Sequence, residues 1–150
     1  LTTHWTSPEQ PQPGDGATMN SLNKDLADAQ SELDYVMANP DLDPTVQNIK
    51  ILHAQAKVDA IKKCIADLKS GVDAFTVVCE ERLGLLQADV DMMSNQAKYL
   101  GSLHTDDATQ QATDLNSKAA ALQKSIDALT KAMASLYDAI ARYNDAAYNV

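Results

Sequence analysis

Apolar residues recur along most of this chain at alternating steps of three and four, the repeat that lines one face of an α-helix. The first stripe runs Met19, Leu22, Leu26, Ala29, Leu33 and Val36. Asn20 or Ser21 is the expected cap at its start. Asn39-Pro40 stops it, because a residue before proline avoids the helical region. Residues 39–44 read as a turn, and Asp43 is the expected N-cap of a helix that starts at Pro44 or Thr45.

The second stripe runs Ile51, Ala54, Val58, Ile61, Ile65, Leu68, Val72, Phe75 and Cys79, then Leu83, Leu86, Val90, Met93, Ala97 and Leu100. It keeps its phase through Gly71, as one helix of about 85 Å would. Lys69-Ser70-Gly71, however, has the form of a helix end, with a cation in the last turn and glycine just beyond. Both readings stand. A hairpin at Gly71 is preferred, since so long a helix is unusual in so short a chain.

After a break at 101–106, with Thr105 or Asp106 as cap, the last stripe is the most regular. It runs Ala108, Ala112, Leu115, Ala119, Leu122, Ile126, Leu129, Met133, Leu136, Ile140, Tyr143 and Ala147, with no charge at any position. Its flanks (Asn116, Lys118, Gln123, Ser125, Thr130, Ala132, Tyr137, Ala139, Asn144, Ala146) are mostly small and neutral. A two-stranded coil usually carries Glu and Lys there. The widened stripe calls for more than one neighbour. The pattern predicts an all-α protein: an antiparallel helical bundle with coiled-coil-like heptad seams, three or four helices near 20–38, 45–100 and 106–147, and no strand.

Residues 1–18 carry Pro8, Pro11, Pro13, Gly14 and Gly16, and read as a Pro/Gly-rich flexible arm before one bundle domain over 19–150. Trp5 is the arm's one large apolar side chain. It is either a tail residue or a docking anchor.

Composition sharpens this picture. Hydrophobic residues are 45% of the chain and aromatics only 5%. The core is therefore built from Leu, Ile, Val, Ala and Met, a mixture that suits helices. The net charge is -9 and the isoelectric point about 4.5. An acidic surface repels phosphate, so nucleic acid and anionic membrane surfaces are not expected partners. No apolar run reaches the roughly 20 residues of an integral membrane segment. No signal peptide is evident, and the start at Leu1 reads as a processed product or an expressed fragment.

Chemistry is sparse. His4, His53 and His104 have no metal-site spacing, and no Glu-x-x-His pair, phosphate loop or nucleophile elbow occurs. No catalytic, cofactor-binding or metal-binding residue is assigned, and no enzyme is expected. Glu80-Glu81 reads as a solvated face, and Asp106-Asp107 as a helix-start charge. Cys64 and Cys79 are a candidate disulfide if the chain turns at Gly71. In one straight helix they lie about 22 Å apart, beyond bridging range. Free core thiols are the competing reading. Tyr137 and Tyr148 are candidate contact residues, with end-capping of the bundle as the plainer role.

Residues 19–75 resemble the helical hairpin of bacterial type III secretion needle subunits. The shared features are a helix ending in Ala38-Asn39-Pro40, a restart at Asp43-Pro44, and a long helix with Lys62, Lys63, Asp67 and Lys69. The resemblance implies helices that polymerise, in company with longer secreted filament and translocator proteins. This chain departs from the pattern in its length, its two cysteines and its third long helix.

The expected function is therefore a non-enzymatic structural or protein-interaction module, secreted or extracytoplasmic, whose partner is itself or another helical protein. The alternative is a carrier of an apolar, lipid-like ligand, with Met92, Met93 and Met133 lining the bundle interior.

Overall fold

Two prolines, one glycine and a left-handed histidine divide the chain into four helices. The computed structural model describes residues 16–149. The helices are α1 (Gly16–Ala38), α2 (Pro44–Lys69), α3 (Ala74–Gly101) and α4 (Asp106–Tyr148), and no strand occurs among the described residues. Packing follows chain order, α1 on α2, α2 on α3 and α3 on α4. Each short turn makes consecutive helices antiparallel.

The turns follow local chemistry. Asp43 caps α2 by accepting the N–H groups of Thr45 (2.8 Å) and Val46 (3.5 Å). At the end of α2, Gly71 takes φ +101°, Val72 N–H bonds Asp67 O and Gly71 N–H bonds Leu68 O. This is the paired closure that a left-handed glycine permits just past a helix. The chain turns there, and the long stripe is two helices. Asp73 caps α3, Thr105 caps α4, and His104 turns the α3–α4 loop at φ 55°.

The start of α1 differs from the expectation. The helix begins at Gly16, ahead of Asn20 and inside the segment assigned to the arm. Thr18 is buried and Met19 packs against the core beside Leu22, so tertiary contact holds the first turn.

Three helices share the tightest core. Leu22 from α1, Ile61, Cys64 and Ile65 from α2 and Val77 from α3 form one cluster, and Leu33, Ala54 and Val58 continue it along α1 and α2. Gly84 sits at a close approach of α2 and α3, where an added Cβ would meet Ala60 Cβ at 2.9 Å. The second cluster joins α3 to α4 through Val90, Ala119 and Ile126, with Leu83, Leu86, Met93 and Leu122 around it. Val77 and Leu83 thus show that α3 has two working faces, one toward α1 and α2 and one toward α4.

Candidate functional site

Helix lengths position the first candidate. At 1.5 Å per residue, the 28 residues of α3 span about 42 Å and the 43 of α4 about 64 Å. They start from the same loop, so roughly the last fifteen residues of α4 run past the end of α3. Tyr137 reaches back to hydrogen-bond Thr76 in the first turn of α3. The seam nevertheless continues for ten residues beyond Tyr137. Burial follows suit: Ile126 is 6% exposed, whereas Ile140 is 48%, Tyr143 74% and Tyr148 91% exposed. Leu129 and Leu136 are also open to solvent. The distal part of α4 is an apolar helix face without a neighbour among the described residues. The charges on this part of the helix, Asp138, Arg142 and Asp145, lie off that face, and Arg142 pairs with Asp138 at 2.8 Å.

The second candidate is a cleft of about 500 Å³ at the opposite end, where all four helices contribute. Val36, Ile49, Ala54, Met92, Leu100 and Leu115 supply apolar surface, and Glu32, Lys50, His53, Gln96, Tyr99 and Gln111 supply polar groups. Across its wall His53 Nε2 lies 2.7 Å from Asp89 Oδ1, joining α2 to α3. Lys57 Nζ donates to Glu32 Oε1 at 2.6 Å, joining α2 to α1. Tyr99 O–H donates to Asp43 Oδ2 at 2.7 Å and, with the backbone donors of the cap, holds that carboxyl below its usual range. An opening of this size admits a small amphipathic molecule.

The residues read from the sequence are thereby separated. Met92 lines the cleft, Met93 packs against the α3–α4 cluster, and Met133 is half-buried on α4 near the end of α3. Of the three, Met92 is the one that lines this cleft, since the neighbouring helical positions 92 and 93 point about 100° apart. Tyr137 is tied to α3, Tyr148 is exposed, and Trp5 lies outside the described residues. Cys64 and Cys79 are both free. Cys64 shares its core with Val77, and Cys79, two residues further on, is turned about 200° away. The hairpin forms, yet it does not point the two thiols at each other.

Glu80 and Glu81 are not a solvated face. Each has one buried carboxyl oxygen without a hydrogen-bond partner among the described residues, although Lys63 Nζ lies 3.9 Å from that of Glu80. Burial, and then Asp25 of α1 beside it, push the Glu81 carboxyl up to about 7. Burial and Asp67 raise Glu80 as well. Burial, reinforced by Glu80, Glu81 and Asp67, pushes the Cys64 thiol up to about 11. No periodic signal marks these pairings, since they arise where α1 and α2 lean on α3.

Among the described residues no group of three or more His, Cys, Asp or Glu side chains is placed to hold a metal ion. No helix among them is long and apolar enough to cross a membrane. No protein-family model, curated protein or solved structure matches the chain.

Proposed function

We propose that this protein is a non-catalytic helical interaction module whose working surface is the distal part of α4. The observation that carries this reading is the uncovered seam from Leu136 to Ala147. A charge-free apolar stripe of that length costs solubility when left open, and it retains the heptad spacing a helix partner needs. A role as a subunit or secreted component of a larger, bacterial assembly fits the same surface, as does the α1–α2 hairpin turning at Asn39-Pro40. The test is Ile140→Asp. As a docking position, it should leave the melting temperature of the isolated chain unchanged. A drop of more than a few degrees would instead make the stripe part of the chain's own core and end this reading.

The cleft favours a second reading, a carrier of an apolar or amphipathic ligand. Here Met92 and Leu115 face the ligand, and Lys50 and His53 meet its polar end. Native mass spectrometry of the gently purified protein tests it through a bound mass that Leu115→Trp, which fills the cleft, removes.

A further inference from the structure

We infer that the partner of the distal α4 stripe is a second copy of this chain, packed antiparallel about a two-fold axis between Ala141 and Arg142; this rests on the interaction reading above. The seam itself sets the register. If residue numbers facing each other across the axis sum to 283, Ile140 meets the partner copy's Tyr143 and Leu136 meets its Ala147. Each copy makes both contacts twice over, as a two-fold interface requires. The flanks fit the same register. Tyr137 falls beside the other copy's Asn144 on one side, and Ala139 beside its Ala146 on the other. One flank thus pairs hydrogen-bonding groups, and the other is small enough for the helices to approach closely.

Charge decides for self-pairing over a foreign partner. The chain carries -9 overall, and like-charged copies repel. The projecting residues 134–148 hold two acids, Asp138 and Asp145, against one base, Arg142, a net charge of -1. Nearly all the excess negative charge therefore lies elsewhere, and none of these three residues is on the seam or its flanks. A basic partner drawn to an acidic protein finds no acidic rim here, whereas a second copy meets a nearly neutral surface. Length agrees, because the projection of about 22 Å is the span that residues 134–148 occupy and the register is centred on it. Phe75, exposed on the first turn of α3, stands where the other copy's helix end arrives.

The area sets the strength. With an aromatic side chain taken at roughly 200 Å², the exposed fractions of Tyr137 and Tyr143, with Leu136 and Ile140, offer roughly 400 Å² per copy. The total of roughly 800 Å² is below the size of standard specific interfaces, so the dimer is weak and concentration-dependent.

Sedimentation of the purified chain from about 1 to about 500 μM should show monomer passing to dimer and stopping there. Ile140→Asp and, as a milder change, Tyr143→Ala should stay monomeric across the range with unchanged melting. Under mild oxidant and in a Cys79→Ala background, Leu136→Cys/Ala147→Cys should form covalent dimers, while Leu136→Cys alone should not. A wild-type chain that stays monomeric at the top concentration overturns the dimer, although unchanged melting of Ile140→Asp would still leave the stripe a docking surface. Dimers that persist in both seam variants, or crosslinking by Leu136→Cys alone, also overturn it. So does wild-type chain that floats with phosphatidylcholine vesicles in a way Ile140→Asp abolishes. A collapse in the melting of both variants removes the dimer and the docking surface together.

Discussion

At one end of the molecule two regions lie side by side and behave in opposite ways. The three-helix end packs Leu22, Ile61, Cys64 and Val77 into a closed core, with carboxyls trapped against it. The distal part of α4 runs past that end with an equally regular apolar stripe and nothing over it among the described residues. Periodicity alone does not distinguish the two. What separates them is the number of covering neighbours: three helices share the closed core, whereas α4 packs chiefly on α3 and then outruns it.

The sharpest way to break this contrast is to place the same charge on each side of the boundary. Ile126→Asp puts a carboxylate into the α3–α4 cluster and should cost several kcal/mol, a large part of a domain's stability, so α4 detaches or the chain unfolds. A urea titration should show that loss, while Ile140→Asp stays within about 0.5 kcal/mol of wild type. Equal losses at the two sites would show that the boundary is misplaced.

Truncation probes the same divide more gently. Leu22→Ala should cost about 2–5 kcal/mol, since the side chain is fully buried and leaves a cavity. Leu136→Ala should cost well under 1 kcal/mol in the monomer. A Leu136→Ala penalty as large as that of Leu22→Ala would mean that the stripe is covered within one chain.

The trapped carboxyls give the closed end a pH dependence that the projecting helix lacks. The folded chain holds the Glu81 proton up to about 7, while an unfolded glutamate releases it near its ordinary value of 4.5. The resulting stability is fully present below pH 4.5, falls as pH rises, and is lost above about 7. Glu81→Gln should remove about 1–3 kcal/mol of this slope and be the more stable protein at pH 8. Unfolding at pH 5 and pH 8 checks it, and equal slopes in the two proteins would refute the assignment.

Among changes to the closed end, the smallest effect comes from Gly84→Ala. Its new Cβ presses on Ala60 and should cost about 1 kcal/mol, at the low end of overpacking, by separating α2 from α3. A neutral result would show that the two helices move apart freely.

Much of the fold was legible in the sequence because it rests on local rules. Asp43, Pro44 and Thr105 mark boundaries by capping chemistry, and the spacing from Ala108 to Ala147 marks α4. The Gly71 turn was balanced against an unbroken seam, because two helices facing one core can keep one phase. Features that depend on which helix lies across from which were not legible. Nothing local shows that Asp25 meets Glu81, that His53 meets Asp89, or that Gly84 meets Ala60. Met92, Met93 and Met133 were grouped by side-chain type, and helix phase separates them. The limit of coverage on α4 could have been found by comparing helix lengths once the turn at Gly71 was settled.

The opposed faces of α3 also make the two cysteines independent reporters of motion. Cys64 lies inside the three-helix core with its thiol held protonated, so a thiol reagent reaches it only when that core opens. Cys79 is half-buried on the α4-facing side with Leu83 and Leu86, by its spacings of four and seven, so it is labelled readily and faster still when α4 loosens. Two labelling rates measured on one unmodified chain would therefore tell opening of the three-helix core apart from loosening of α4.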